Sequence, residues 1–168
     1  MAEPKTRRAP TRRPRSRKAA AVVETAALPE PSLPRGRTAA LGPKDEHELL
    51  HRGVSLFNGL RHWHAHEAWE ACWRAAPDRE RDFYQGLIQV AAGLLHLQRR
   101  NARGARNKLG EGLARLRPYQ PAHRGIFVNE LVGKCEQIER DLNAGLAPYL
   151  IPPVIRFADV ERTANFDR

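Results

Sequence analysis

Long hydrophobic runs are missing from this 168-residue chain. The apolar stretch 19–28 is interrupted by Glu24, and nothing approaches the roughly 20 residues that a membrane-spanning helix needs. Cysteine is scarce: Cys72 and Cys135 are the only two, far apart and at no metal-ligand spacing. That excludes a disulfide framework and points to a reducing compartment. Acids are few at the N-terminal end, where residues 1–40 carry ten Lys or Arg against three Glu. A secretory leader is not expected there, because no good apolar core follows the basic residues and proline is too frequent. The cytoplasm is the default location.

What is present is divided unevenly. Most of the formal net charge of +10 sits on residues 1–40, a Pro- and Arg-rich segment that cannot bury enough surface to offset the entropy of ordering it. It reads as a disordered basic arm. Such an arm can make non-specific, salt-sensitive contact with a polyanion; a solubilising tail with no dedicated partner is the simpler reading. Prolines and glycines between 29 and 43 make a linker. The expected organisation is a tail and linker over 1–43, a helical domain over 44–157 and a C-terminal tail over 158–168.

Within the domain the apolar spacing is helical throughout. Helices are expected from Asp45 to Asn58, Arg61 to Ala75, Arg79 to Arg99, Asn101 to Arg117 and Arg124 to Ala144, with Asp45 and Asp78 as caps and Gly59 as a stop. Short links favour antiparallel neighbours, so the fold class is all-α, a compact bundle of about five helices. Gly86 and Gly93, seven apart on the third helix, suit close approach of another helix. The apolar residues Ile151, Val154, Ile155 and Phe157 suggest that the chain after Pro148 lies on the domain.

The third helix is apolar almost all round, the mark of a buried helix, and against that background Gln85, Gln89 and His96 form one polar line. Buried polar groups need partners, at a cost of about 1–3 kcal/mol for each left unsatisfied. The second helix offers His62, His66 and Glu70 on one face beside Trp69 and Trp73, with Glu67 about a quarter turn away. Packing these helices together is expected to make an internal polar pocket walled by tryptophan. Two readings stand. In one the pocket is a hydrogen-bond network that fixes helix register. In the other it is a site. His66, Glu67, Glu70 and His96 are then the candidates for acid–base work, and His66, Glu70 and His96 for a divalent metal, the one cofactor the pattern suggests. The segment from His66 to Glu70 resembles a zinc-protease HExxH helix with Glu in place of the second His.

Other features have plainer readings. Arg99, Arg100, Arg103, Arg106 and Lys108 make a basic start to the fourth helix that could meet phosphate, but aromatic residues for base stacking are missing there. His47, His51 and His123 read as ordinary surface.

Phe57-Asn58, His66-Glu67, Trp69-Glu70, Trp73, the block from Phe83 through Gln85 and Gly86 to Gln89, Ala91-Ala92, His96, Asn101 and Gly104-Ala105 resemble the domain of unknown function 309 family. The resemblance covers residues 44 to 118. It implies a small all-α fold and no assigned activity, and it marks His66, Glu67, Glu70, Gln85, Gln89, His96 and Asn101 as site positions. Arg100 stands where the family often has Gly, and Arg61 to His64 replace a segment that is usually shorter. The functional expectation is a structural or interaction module with an internal His/Glu/Gln pocket. The alternatives are a metal-dependent or His/Glu acid–base hydrolase, and a nucleic-acid-associated protein acting through the tail.

Overall fold

A computed structural model describes residues 41–146 and 151–158; the expected tail over 1–40 lies outside the described residues. Five α-helices follow one another: α1 (Pro43–Asn58), α2 (His62–Ala75), α3 (Asp78–Gln98), α4 (Ala102–Leu116) and α5 (Val128–Asn143), with a 3₁₀ turn at Arg117–Tyr119 between the last two. No helix is long and apolar enough to cross a membrane among the described residues.

Local chemistry sets most of the boundaries. Pro43 opens α1 because its fixed φ suits the first turn, and Asp45 with Glu46 place negative charge near the amides of that turn. The cap of α1 is thus Gly42, not Asp45, and the cap of α3 is Pro77, not Asp78. Gly59 ends α1 as expected. The boundary displaced furthest is the start of α5, Val128, four residues beyond Arg124. Arg124 and Gly125 adopt φ of 48° and 74°, which no right-handed helix accommodates. They form a turn instead, and Ile126 from it bridges to Phe157.

Consecutive helices pack antiparallel. Gly53 of α1 lies against the Trp69 indole of α2 so tightly that a Cβ there would collide with it. Gly86, Gly93 and Gly112 let α3 and α4 approach closely, since a Cβ at Gly93 would stand 2.8 Å from Leu109. In each case the glycine sacrifices some helix propensity, and the approach it permits lets Trp69, Leu109 and Leu116 be fully buried. α3, flanked by α2 and α4, is the central element. The C-terminal segment does lie on the domain: Ile155 is buried, and the Asn58 side chain both donates to its carbonyl and accepts from its amide at 2.9 and 2.8 Å.

Candidate functional site

Two markers fix which way α3 faces. Arg81 sits over the Trp73 ring of α2 at 4.2 Å, and Gly86 and Gly93 face Leu116 and Leu109 of α4. At about 100° per residue, Gln85, Gln89, Ala92 and His96 fall between these directions. α1 covers the opposite side, where Tyr84 donates to Glu46 at 2.6 Å and Gln98 to the Leu60 carbonyl at 3.0 Å. On α2, Trp69 and Cys72 turn toward α1, donating to the Leu50 and Glu46 carbonyls, while His66 and Glu70 turn away from it. The polar line of α3 and the His66–Glu70 edge of α2 therefore lie on the same side of the helix pair, along a seam bordered by α4.

The contacts in this seam differ from those expected between α2 and α3 alone. Gln89, which is buried, donates its amide to Glu111 of α4 at 2.7 Å, and Lys108 joins the same carboxylate at 3.0 Å. His96, also buried, meets Asn101 at the head of α4, 3.1 Å from Nδ1 to Nδ2. Asn101 is oriented by its own capping bond, in which Oδ1 accepts from the Gly104 amide at 2.9 Å. Its Nδ2 must then donate to His96 Nδ1, so the ring carries its proton on Nε2. Gly104 is needed for this arrangement: a Cβ there would lie 2.7 Å from both Asn101 Nδ2 and His96 Nδ1. Replacing Asn101 by Ala is expected to remove the cap and the donor together and to lower stability by about 1 kcal/mol. Urea denaturation would measure the change. Arg100 holds φ at 58°, in the left-handed region that glycine favours.

On α2, His66 Nε2 lies 3.7 Å from Glu70 Oε1, and Arg74 lies 3.6 Å from Glu70 Oε2. The Trp63 ring stacks parallel to His66 at 5.7 Å. Desolvation pushes the His66 imidazole down to about 4 and also lowers that of His62, while it raises the Glu70 carboxyl against the opposing pull of Arg74. Several polar atoms here are buried and lack a hydrogen-bond partner within the fold: His66 Nδ1, Glu70 Oε1, Trp73 Nε1 and Gln89 Oε1; the His62 ring, by contrast, interacts with the Gln98 side chain.

The remaining candidates are placed elsewhere. Glu67 is exposed and lines a surface groove with Leu49, Arg52 and Arg61 on the outer face of α1 and α2. Trp69 is core packing against α1, so Trp63 and Trp73 wall the seam. Gln85 is half-buried on the seam line. Among the described residues no three His, Cys, Asp or Glu side chains form a group able to hold a metal ion. His66, Glu70 and His96 are thus not assembled as the expected three-ligand set.

A second polar network escaped the sequence reading. His123 is no surface bystander: its Nε2 contacts Glu80 at 2.8 Å, and Arg124 links Glu80 to Glu46 at 3.1 and 2.9 Å. Glu46 also accepts from Tyr84, and burial together with that bond raises the phenol. These groups pin the Arg124 turn to the first turns of α1 and α3. Only the clustering of Glu46, Glu80 and Asp78 at helix starts hinted at it.

A search of curated proteins finds no match for the chain. Residues 50–107, which hold His66, Glu70, Gln89, His96 and Asn101, match the family model described as a domain of unknown function, DUF309.

Proposed function

We propose that the domain is a binding module, and that it recognises a small polar molecule at the His66–Glu70–Trp73 edge of the seam. The observation that carries this reading is the row of buried polar atoms without partners on that edge. Each orphaned atom costs about 1–3 kcal/mol. Nearly all such groups in folded proteins are paired with protein or ordered water, so a run of them on one edge is a place where a bound polar molecule can supply partners that the chain does not. The neighbouring Gln89, His96 and Asn101 are engaged in holding α3 to α4 and serve as the rigid wall.

Chemistry at this edge is the less supported reading. A general base works best with a pKa near the operating pH, and His66 at about 4 has too little proton affinity for that task at neutral pH. Its 3.7 Å separation from Glu70 is also longer than the hydrogen bond of an oriented dyad. The basic start of α4 supports polyanion contact weakly, since Arg106 reaches the Leu142 carbonyl and Lys108 is paired with Glu111.

Native mass spectrometry of the full chain purified without denaturation tests the proposal. A small molecule is expected to accompany the wild-type protein and to be lost, or reduced at least tenfold in occupancy, in Glu70→Leu and His66→Leu. Equal occupancy in wild type and both variants would place binding elsewhere, and an empty wild-type protein that takes up nothing from a cell extract would remove the reading.

A further inference from the structure

A groove distinct from the seam runs along α5. One wall carries Glu130, Gly133, Lys134 and Arg140, and the other is the extended segment with Ile151, Val154 and Arg156; the cavity between them measures about 580 Å³. Its chemistry is uneven in three ways. Ile151 and Val154 are 76% and 47% exposed, although they are β-branched apolar residues that folding ordinarily hides. Gly133 lies in mid-helix, and a Cβ there would meet nothing within 4 Å. Glycine at such a position costs roughly 1 kcal/mol relative to alanine, and no packing neighbour among the described residues requires it. Finally, the charge is one-sided. Arg156 is matched by Glu130 at 2.8 Å, whereas no carboxylate among the described residues pairs with Lys134, and Arg140 gives its hydrogen bond to the neutral Gln137.

The geometry points to a docking surface for an extended acidic peptide segment with alternating apolar residues. Gly133 leaves the floor bare for an incoming side chain, with Ile151 and Val154 offering it an apolar wall. Lys134 and Arg140 on the rim then meet carboxylates on the alternate positions, since side chains of an extended chain alternate in direction. The groove spans Asn129 to Arg140, which at 1.5 Å per helical residue is about 16 Å. An extended chain covers that length with about five residues at 3.3 Å each. A membrane surface fits less well, because the apolar residues line a trough rather than a protruding face.

The test uses the full chain and a fluorescein-labelled probe, acetyl-Glu-Leu-Glu-Leu-Glu-amide, followed by fluorescence anisotropy. Saturable binding is expected, weakening as salt is raised. Gly133→Leu should weaken binding at least tenfold while its thermal unfolding midpoint stays level or rises, because Leu fills the floor and favours the helix. Lys134→Glu combined with Arg140→Glu should weaken binding at least tenfold without touching the apolar wall. The inference is overturned if Gly133→Leu leaves binding unchanged, or if a probe with Lys in place of Glu binds equally well. It is also overturned if phosphatidylserine vesicles bind while the peptide does not, or if sedimentation shows a dimer that Gly133→Leu dissociates, either of which assigns the groove a different occupant.

Discussion

Replacing His66 and Glu70 together by leucine is expected to stabilise the domain by about 2–4 kcal/mol while abolishing ligand occupancy. Both residues are buried, at 4% and 8% exposure, and both contribute an orphaned atom. An unsatisfied buried polar group costs about 1–3 kcal/mol, and exchanging polar partners for apolar side chains of similar size is often neutral or stabilising. The double variant removes both orphans at once. Glu70→Leu alone should gain less, because His66 Nδ1 stays orphaned, while Arg74 loses the carboxylate 3.6 Å from it in the single and the double variant alike. Urea denaturation of the ligand-free proteins decides between the two readings of the seam. A gain identifies groups kept for binding at the expense of stability; a loss of 2 kcal/mol or more identifies a register-fixing network and removes the binding proposal.

The contrast with the other polar cluster sharpens this expectation. Around Arg124, both carboxylates have partners: Glu46 takes Tyr84 and Arg124, and Glu80 takes His123 and Arg124. That network ties a turn with left-handed backbone at Arg124 to two helix starts, and none of its carboxylate or phenol oxygens is orphaned. It has the form of a structural clasp. The α2 edge is its opposite, equally polar and more deeply buried, yet incomplete within the fold.

Apolar periodicity made all five helices legible, because 3.6-residue spacing survives wherever one face is buried. It missed the start of α5, since left-handed backbone at Arg124 leaves no pattern in side-chain hydrophobicity. The polar line Gln85, Gln89, His96 was legible as an exception on an otherwise apolar helix. Its partners were not, because periodicity gives the direction of a side chain on its own helix and says nothing about which neighbour occupies that direction. The signal that pointed to α4 was present: Gly86 and Gly93 on α3 mark the side of closest approach, and Gln89 and His96 flank that side. Glu111 was hidden because an exposed glutamate beside Lys108 reads as a solvated pair. Trp69 was placed on the wrong wall for a related reason. It shares a broad apolar arc with Trp73, and only tertiary contacts, its bond to the Leu50 carbonyl and its close fit against Gly53, show that it belongs to α1.

The burial that orphans His66 also sets a pH dependence. Burial pushes its imidazole down to about 4 in the folded protein, from the 6.5 of a solvated histidine. Above pH 6.5 neither state is protonated at this ring, and its contribution to stability is complete. As pH falls below 6.5 the unfolded chain takes up a proton that the folded protein refuses, so stability declines until pH reaches about 4. The span corresponds to roughly 3 kcal/mol. His62, lowered by the same desolvation, acts in the same direction. Glu70 acts oppositely: its raised carboxyl holds a proton that the unfolded chain has released, so its contribution is greatest in acid and is lost as pH rises through the folded value. The decline between pH 6.5 and 4 is therefore shallower than the histidines alone would give. Comparing urea unfolding of wild type and His66→Leu at intervals from pH 7.5 to 4.5 isolates the one ring, because every other titrating group is common to both proteins. The variant should lose at least 1.5 kcal/mol less across that range. Parallel profiles would mean that His66 is solvated and freely protonated, and the orphaned edge on which the binding proposal rests would then be accessible to water.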